Sequence, residues 1–464
     1  MSETESTGGG DSGNPLVDFL NRDPGLVLAV LGGIYLVYIL SGVIFGFTLR
    51  GQLNTVANLT FFIGVFGMLA LALNLHWGYT GLFNIGIVGF MAIGVYVTAI
   101  VSKPPAGQGG AAQIGGLGLP LGVGVFAGVL VAALFGLLVG LPALRLRADY
   151  LAIVTIAFSE IIRFTLMSRT FQTYQLPDTI DLWLFTIDPA ADTIGLGGGG
   201  GLILNYTQPL EAILQTLFLW GPYLGFVDFV QQNFISNNPK PVIDGLTYGL
   251  ILLLTCGLFY WLLTRTGSSP FGRVLKAIRE DEDVANALGK NTNRFKLKSF
   301  VFGCALMGLG GILWYAGRGS ITPPSFRPNI TFYIWIALII GGAGSNTGSF
   351  LGGAVFAAAL YEGPRLVKNL VEAAVGSLEG PGGFGPAMAA MGSFDPWPML
   401  AYTLNSISQL RLVIMGVVLI WLMHNRPEGM LGHRKETASS IDLSRPESSS
   451  TESDATAADG GEQQ

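Results

Sequence analysis

The chain has 464 residues, of which 50% are hydrophobic and 12% charged, and its formal net charge is −5 at pH 7. Soluble domains carry about a quarter charged residues and roughly 7% Gly, whereas this chain contains 66 Gly. The composition excludes an ordinary soluble domain and is typical of an integral membrane protein.

In chain order, apolar runs of about 20 residues recur, the length that crosses roughly 30 Å of hydrocarbon as a helix. They cover residues 25–47, 54–75, 81–101, 119–144, 149–167, 242–263, 299–317, 331–361 and 400–423. Lipid tolerates helices or closed barrels, and these runs lack the alternating pattern of barrel strands. The sequence therefore predicts an all-α fold, a polytopic transmembrane helical bundle of about nine to ten spans.

The two ends differ from this membrane domain, which is predicted to cover residues 25–435. Residues 1–24 are acidic and are predicted to be flexible, and the first apolar run is too long for a signal-peptide core, so it should remain as a span. Residues 436–464 form an acidic tail rich in Ser and Thr. That tail has too few apolar residues to bury a core and is predicted to be disordered.

The basic residues predict the orientation. Eight Lys and Arg residues lie between residues 265 and 298, and an excess of these residues marks cytoplasmic loops. Counting spans backwards places the long stretch 168–241 outside, where its apolar piece 210–230 is predicted to form an external amphipathic helix. Counting forwards to a cytoplasmic C-terminus requires the run 331–361 to return to its own side, as two short spans or as a re-entrant pair.

Residues that catalyse reactions or bind metals are sparse. Cys256 and Cys304 fall inside predicted spans, where cysteine usually acts as a small buried hydrophobe. His76, His424 and His433 are scattered, without HExxH or paired Cys/His spacing. We therefore predict no catalytic residue, no metal site and no cofactor.

Two Gly-interrupted stretches, residues 78–96 and 341–361, each begin with glycines around a break and then resume an apolar run. Broken segments in corresponding positions of two halves often mark a transporter's substrate path, because freed backbone groups must face protein or water. The alternative is ordinary packing of small residues between helices. The stretches predict an internal repeat, and the candidates for lining a translocation path are Gly78, Gly81, Asn84, Gly341, Gly342 and Gly344.

The segment 272–298 is densely charged between two apolar runs. Ser269 and Pro270 are a helix-start signature, and good helix formers continue to residue 279. Residues 280–288 predict a second short helical segment that ends at Gly289, a natural C-terminal stop. This pattern is compatible with a helix that docks to a soluble partner and, equally well, with a solvated connecting loop.

Residues 272–289, GRVLKAIREDEDVANALG, resemble the cytoplasmic loop of the permease subunits of branched-chain amino-acid ABC importers, which carries this family's version of the EAA coupling motif. Four further blocks are similar to the same family in the same order. They are LRLRADYLAIVTIAFSEIIR at 144–163, the Gly-rich stretch 78–96, residues 321–326 with 341–353, and the closing block 426–432. The resemblance covers roughly residues 53–432 and indicates the second of the family's two permeases.

This resemblance implies a multi-pass permease of the cell membrane that is not itself an enzyme. It implies three kinds of protein partner, namely a second homologous permease subunit, cytoplasmic ABC ATPase subunits and an extracytoplasmic substrate-binding protein. The lipid membrane surrounds it, and no nucleic acid partner is expected. The residues implied in ATPase coupling are Glu280, Glu282, Ala285, Ala287, Leu288 and Gly289.

The chain departs from the family at Asp283 and Asn286, which replace a usual apolar residue and a usual Glu. The loop after residue 163 also lacks the family's usual TGG-like sequence. Because related permeases carry urea and short amides, such a cargo is one alternative to a branched-chain amino acid.

A secondary transporter driven by an ion gradient is the other alternative. Such proteins usually keep ionisable groups near mid-membrane. Here Glu160 and Arg163, three residues apart, are expected to pair with each other on one helix, and Arg411 is the deepest charge of the last run. No GxxxxGK[ST] phosphate loop occurs in the sequence, so energy from ATP must come from separate subunits.

Overall fold

The computed structural model describes residues 23–105, 114–145, 148–175, 180–182, 185–187, 193–204, 208–235, 238–376, 380–426 and 428–431. Most of the predicted flexible segment, the whole predicted tail and His433 lie outside these residues. The first helix includes Asp23 and Pro24, the last two residues of the predicted N-terminal segment.

The described chain is overwhelmingly helical. The first half contains α1 (Asp23–Ile44), α2 (Leu49–Asn74), α3 (Ile87–Ser102), α4 (Leu121–Ala143) and α5 (Ala148–Met167). A π-helical turn, Leu75–Tyr79, continues α2 without interruption and is called π1 here.

The second half begins with two short helices and a long one, α6 (Pro209–Thr216), α7 (Trp220–Asn233) and α8 (Lys240–Ser268). The charged segment and the next span follow as α9 (Pro270–Glu280), α10 (Glu282–Ala287) and α11 (Thr292–Tyr315). The remainder comprises α12 (Pro328–Gly341), α13 (Asn346–Val355), the π-helical segment π2 (Phe356–Glu362), α14 (Gly363–Val375), α15 (Phe384–Gly392), α16 (Trp397–Asn405) and α17 (Ile407–Asn425).

Six helices of the described chain are long and apolar enough to cross a membrane, and one bent helix pair raises the number to seven. The six are α1, α2 with π1, α4, α5, α8 and α11. The all-α polytopic bundle is thereby confirmed, with fewer full-length spans than predicted. The run 81–101 is shortened because residues 81–86 are not helical, and the run 400–423 is divided between α16 and α17 at Ser406.

The bent pair corresponds to the run that was predicted to return to its own side. Its two arms, Pro323–Gly341 and Asn346–Val375, diverge by 120°. The run therefore does not cross as one straight helix, because the chain breaks between Gly341 and Asn346.

Helix α2 is the centre of the bundle. Within its most apolar window 78% of the residues are buried inside the protein, compared with 11% for α1. Lipid tails are as apolar as leucine, so association of helices in the membrane depends on close packing rather than on removal of apolar surface from water. Helix α2 is therefore fixed by protein contacts on most sides, whereas α1 lies at the periphery.

Small residues on one face of α4 allow its backbone to approach α3 and α11. Gly124, Gly128, Ala132, Gly136 and Gly140 recur every four residues and are all buried. A methyl group built on Gly128 would lie 2.4 Å from Thr98 Oγ1, and one on Gly136 would lie 2.8 Å from Cys304 Cβ. Ordinary small-residue packing accounts for this glycine face.

The stretch 168–241 contains short strands as well as helices. Its strands pair antiparallel: β1 (Tyr174–Gln175) with β4 (Thr193–Ile194), β2 (Ile180–Leu182) with β3 (Phe185–Ile187), and β5 (Leu202–Ile203) with β6 (Ser320–Ile321). The last pair joins this stretch to the connection between α11 and α12, so both belong to one end of the bundle. The predicted single helix 210–230 is instead α6 and α7, because Phe218 between them has a positive φ of 58°.

Candidate functional site

Helix α9 begins where the sequence predicts. Ser269 is the N-cap residue, and its hydroxyl oxygen accepts a hydrogen bond from the Gly272 amide at 3.2 Å. Pro270 occupies the first helical position, where its missing N–H is not needed. The predicted helix start at Ser269 and Pro270 is confirmed.

Asp281 separates α9 from α10. Its carboxylate accepts hydrogen bonds from the amides of Asp283, at 2.9 Å, and Val284, at 3.0 Å, which caps the new helix. Glu280 therefore belongs to the last turn of α9, not to the second helix as predicted. The predicted stop is confirmed, because Gly289 adopts a φ of +78° just after α10.

The predicted coupling residues divide into an exposed and a buried set. Leu288 is 74% exposed, and its neighbour Val284, which the resemblance did not single out, is 54% exposed. Glu280, Ala287 and Gly289 are also exposed, whereas Glu282 forms an ion pair with Lys296. Ala285 is only 3% exposed, so its small side chain packs into this chain and not into a groove on a partner.

Helix α9 is bonded directly to the end of α2. The Arg279 guanidinium donates a hydrogen bond from Nη1 to the backbone oxygen of Gly78 in π1. The Lys276 ammonium lies 5.1 Å from the ring centroid of Tyr79, the next residue of π1. Arg279 and Lys276 of the charged segment thus contact π1, the turn that precedes the first of the two glycine breaks.

The first break follows π1. Gly81 has a φ of +73°, and a methyl group built there would lie 3.6 Å from Arg279 Cγ. Glycine enters this conformation without steric cost, which other residues do not. The chain then runs without helical structure from residue 81 to 86 before α3 begins.

The second break lies between α12 and α13. Gly342 and Gly344 have φ values of +99° and +95°, and the Ser345 hydroxyl then caps α13 by accepting from the Gly348 amide at 3.1 Å. The break also contacts the closing block of the sequence, since the Met430 amide donates to the Ile340 oxygen at 2.8 Å.

The two breaks touch each other through Asn74. Its side-chain oxygen accepts from the Gly344 amide at 2.8 Å, and its side-chain nitrogen donates to Asn346 Oδ1 at 3.1 Å. Asn346 in turn donates to Thr264 Oγ1 on α8 at 3.1 Å. Asn74 is fully buried, so both its side-chain oxygen and its side-chain nitrogen bond to protein groups in place of water. We call this assembly of π1, both breaks and their polar partners the glycine junction.

Asn84 and His76 form the second polar part of the glycine junction. The His76 Nε2 lies 3.0 Å from the Phe300 carbonyl oxygen, which only accepts, so Nε2 carries the proton. Its Nδ1 accepts from Asn84 Nδ2 at 3.2 Å, and the Asn84 backbone oxygen accepts from Trp335 Nε1 at 3.0 Å. The spacing of the three histidines does not predict these contacts of His76, although Asn74, His76 and Asn84 all interrupt apolar runs near one break.

The six candidates for a translocation path therefore lie in one packed junction. Gly78, Asn84, Gly341, Gly342 and Gly344 are buried, and Gly81 is partly buried. A methyl group on Gly78 would lie 2.6 Å from the Gly344 nitrogen, so the breaks approach at backbone distance. Together with the bond from Arg279 to Gly78, these contacts join α2, α13 and α9.

The charged pair considered for a secondary transporter is satisfied internally. Arg163 binds Glu160 with two guanidinium nitrogens, with Nη2 2.5 Å from Oε2, which confirms the expected pairing. The Arg411 guanidinium lies 4.3 Å from the ring centroid of Tyr361. Among the residues that the structure describes, His, Cys, Asp and Glu form no group of three that would hold a metal ion.

Comparison with known proteins identifies the family. The family model described as "Branched-chain amino acid transport system / permease component" matches residues 55–363. The high-affinity branched-chain amino acid transport system permease proteins LivM of Salmonella typhimurium and Escherichia coli are each 31% identical to the chain, over 302 and 301 residues. Each match covers 64% of this chain and 60% of the relative, so the chain spans less than two thirds of their length.

An archaeal relative extends the comparison. The probable branched-chain amino acid transport permease protein LivM of Methanocaldococcus jannaschii is 25% identical over 332 residues, which are 65% of this chain and 79% of that protein. No solved structure matches the chain significantly. Together with its apolar helices, these matches make the chain a multi-pass protein of the cell membrane. It belongs to the family of permease components of branched-chain amino acid transport systems.

Proposed function

We propose that the chain is a transmembrane permease subunit of an ABC importer for branched-chain amino acids. A binding protein delivers the cargo from outside, a second homologous permease completes the path, and separate ATPase subunits supply the energy. The relatives named as permease proteins of such systems support this proposal. The observation that carries it is the bonding of the charged helix α9 to the glycine junction through Arg279 and Gly78.

In this mechanism the ATPase subunits dock on α10. Its exposed side offers Val284 and Leu288 as an apolar contact beside the exposed carboxylates of Glu280 and Asp283. Large exposed apolar side chains at the centre of a polar rim are typical of interface anchors. Closure of the ATPase subunits would displace α10 and α9 together, because only Asp281 separates the two helices.

The displacement reaches the membrane through α9. Arg279 and Lys276 contact π1, and Asn74 bonds to the second break. Because of these contacts, α2 and α13 would move with α9. A helix with a π turn and a non-helical stretch is easier to bend than a continuous helix, since bends occur where the regular hydrogen-bond ladder is interrupted. Rotation of these helices against the second permease would open the path to the cytoplasm.

The test is ATP-driven uptake of leucine into vesicles that contain the whole complex and a loaded binding protein. Leu288→Asp places a charge in the apolar contact and should reduce both ATPase co-purification and uptake at least tenfold, as expected for loss of a central anchor worth about 2 kcal/mol or more. Asn293→Asp adds the same charge at an exposed position on α11 and should leave both near the parental value. Parental co-purification and uptake by Leu288→Asp would refute docking on α10.

A further inference from the structure

A polar cavity lies at the end of α2 that is remote from the glycine junction. Its volume is about 320 Å³, and its wall includes Tyr38, Asn54, Asn58, Glu362, Arg365 and Asn369. Asn54 and Gly78 are 24 positions apart along the continuous rod of α2 and π1, which is roughly 35 Å at about 1.5 Å per residue. The cavity therefore opens at the end of the bundle opposite to α9 and α10, which is the external side in the predicted orientation.

Glu362 places a carboxylate in the wall of this cavity. Its side chain is only 10% exposed, although it belongs to a helix pair that is apolar enough to span a membrane. An ionisable side chain is costly in such a segment and usually faces a water-filled space with a functional role. The cavity supplies that space for Glu362.

Arg365, which carries the charge opposite to that of Glu362, forms an ion pair with it but no hydrogen bond. Arg365 Nη1 lies 3.8 Å from Glu362 Oε2, which is too long for a hydrogen bond. Both groups thus keep hydrogen-bonding capacity for a third molecule. A further carboxylate of the wall, Glu372, lies 3.7 Å from Lys368, which does not line the cavity, so Glu362 and Arg365 are the neighbouring pair of opposite charges that both line it.

The backbone around Glu362 is specialised as well. Glu362 is the last residue of π2, and the Tyr38 hydroxyl donates to the Ala358 oxygen inside that segment at 2.6 Å. A π-helical insertion turns the residues that follow it relative to a regular helix, and such insertions are frequent at functional sites. On the far side of π2, Arg411 stacks on Tyr361, and its guanidinium lies 4.3 Å from the ring centroid.

We propose that this cavity binds the zwitterionic head group of a free amino acid, with Glu362 accepting hydrogen bonds from the ammonium group and Arg365 donating to the carboxylate. The side-chain amides of Asn54, Asn58 and Asn369 complete the polar wall. Phe47 and Leu366, which also line the cavity, contact the aliphatic side chain. The inference rests on the proposed function, because it assigns the site where the permease first meets its cargo.

Size and charge both support this class of ligand. Small-molecule sites occupy about 300–1,000 Å³, so the cavity is at the lower limit and suits one amino acid rather than a peptide. Opposite charges at 3.8 Å match a ligand that carries both signs on neighbouring atoms. Urea and short amides carry neither charge, so they would not present an opposite charge to both Glu362 and Arg365.

Ligand-observed NMR on the complex in nanodiscs, without the binding protein, tests the site. The probes are leucine, leucinamide, which lacks the carboxylate, and 4-methylpentanoate, which lacks the ammonium group. The parental complex should bind leucine and should bind the two truncated probes at least tenfold more weakly. Glu362→Gln and Arg365→Gln should each weaken leucine binding at least tenfold.

Asp228→Asn is the control, because it removes a charge at an exposed position of α7 that does not line the cavity, and it should bind leucine like the parent. Arg365→Lys, which keeps the positive charge, should retain more binding than Arg365→Gln. Equal leucine binding by the parent, Glu362→Gln and Arg365→Gln would overturn the proposal, as would equal binding of leucine and leucinamide, or no leucine binding by the parent. ATPase co-purification in the same preparations separates the two proposals, because its loss in the parent would count against the permease function, whatever the probes do.

Discussion

Arg279 donates a hydrogen bond to the backbone oxygen of Gly78, a residue 201 positions earlier in the chain. The donor is the last basic residue of a charged helix outside the apolar spans, and the acceptor is a π-helical turn inside one. Because the acceptor is a backbone atom, the bond ties Arg279 to the main chain at the end of α2. The first prediction therefore concerns this bond.

Replacing Arg279 by Gln should uncouple ATP hydrolysis from transport. A hydrogen bond to a charged group contributes about 1.5–3 kcal/mol, so its loss should lower uptake at least tenfold while the ATPase subunits remain bound. Uptake and ATP hydrolysis, measured in the same vesicles, check this. Arg273→Gln is the control, since Arg273 lies exposed on the same helix. A parallel fall of hydrolysis and uptake in Arg279→Gln would show that the bond does not serve coupling.

The second prediction uses the backbone of Gly289. Its φ is +78° and no atom lies within 4 Å of a methyl group built on it, so any defect on substitution comes from conformation and not from collision. Gly289→Val should displace the end of α10 and reduce ATPase co-purification at least fivefold, because a left-handed conformation costs an L-residue about 1–2 kcal/mol and a β-branched one more.

Gly289→Asn is the matched control, because asparagine tolerates this conformation better than other non-glycine residues. It should co-purify with the ATPase subunits nearly as well as the parent. Equal loss in the Asn and Val variants would show that position 289 acts through its exposed surface and not through its backbone angle.

The third prediction concerns Asn74. Asn74→Leu removes the partners of the Gly344 amide and of Asn346 inside a buried junction, and each orphaned group costs about 1–3 kcal/mol. The free energy of unfolding in detergent should fall by a few kcal/mol, measured by denaturant titration. Asn233→Leu, at an exposed position of α7, should change it by less than about 0.5 kcal/mol. Comparable stability of both variants would contradict the role of Asn74 in joining the breaks.

The fourth prediction tests orientation. A cysteine at Gln232 on α7 should react with an impermeant thiol reagent in intact cells, whereas one at Asn293 on α11 should react after the membrane is opened. The excess of Lys and Arg between residues 265 and 298 is the reason for this orientation. The reverse labelling pattern would invert the topology and would place α10 out of reach of a cytoplasmic ATPase.

Local signals in the sequence predicted local structure well. Ser269 and Pro270 start a helix and Gly289 ends one through bonds and angles that involve immediate neighbours, so their chemistry alone determines the outcome. Glu160 and Arg163 pair for the same reason. The departure at Asp281 was also local, since an aspartate that caps a new helix is recognisable from the residues that follow it.

Contacts between residues that are far apart in the chain could not be predicted from the sequence. Asn74 and Gly344 are 270 positions apart, and their bond depends on how α2 and α13 cross. The cavity at Glu362 depends on a π-helical segment, for which the sequence FAAALYE offers no distinctive pattern. Composition located the spans, but the spacing of their breaks, and hence the number of full-length spans, was set by tertiary packing.

Cys304, against which Gly136 of α4 packs, has a practical consequence together with Cys256. These are the two cysteines of the chain, and both are buried. A methyl group on Gly67 would lie 3.0 Å from the Cys256 sulfur, so both thiols are enclosed by neighbouring helices and not by lipid. The unaltered chain should thus react very little with polar maleimides. Pairs of spin labels or fluorophores can then be attached at new cysteines without first removing the native ones, and the distance between α10 and α14 can be followed through a transport cycle.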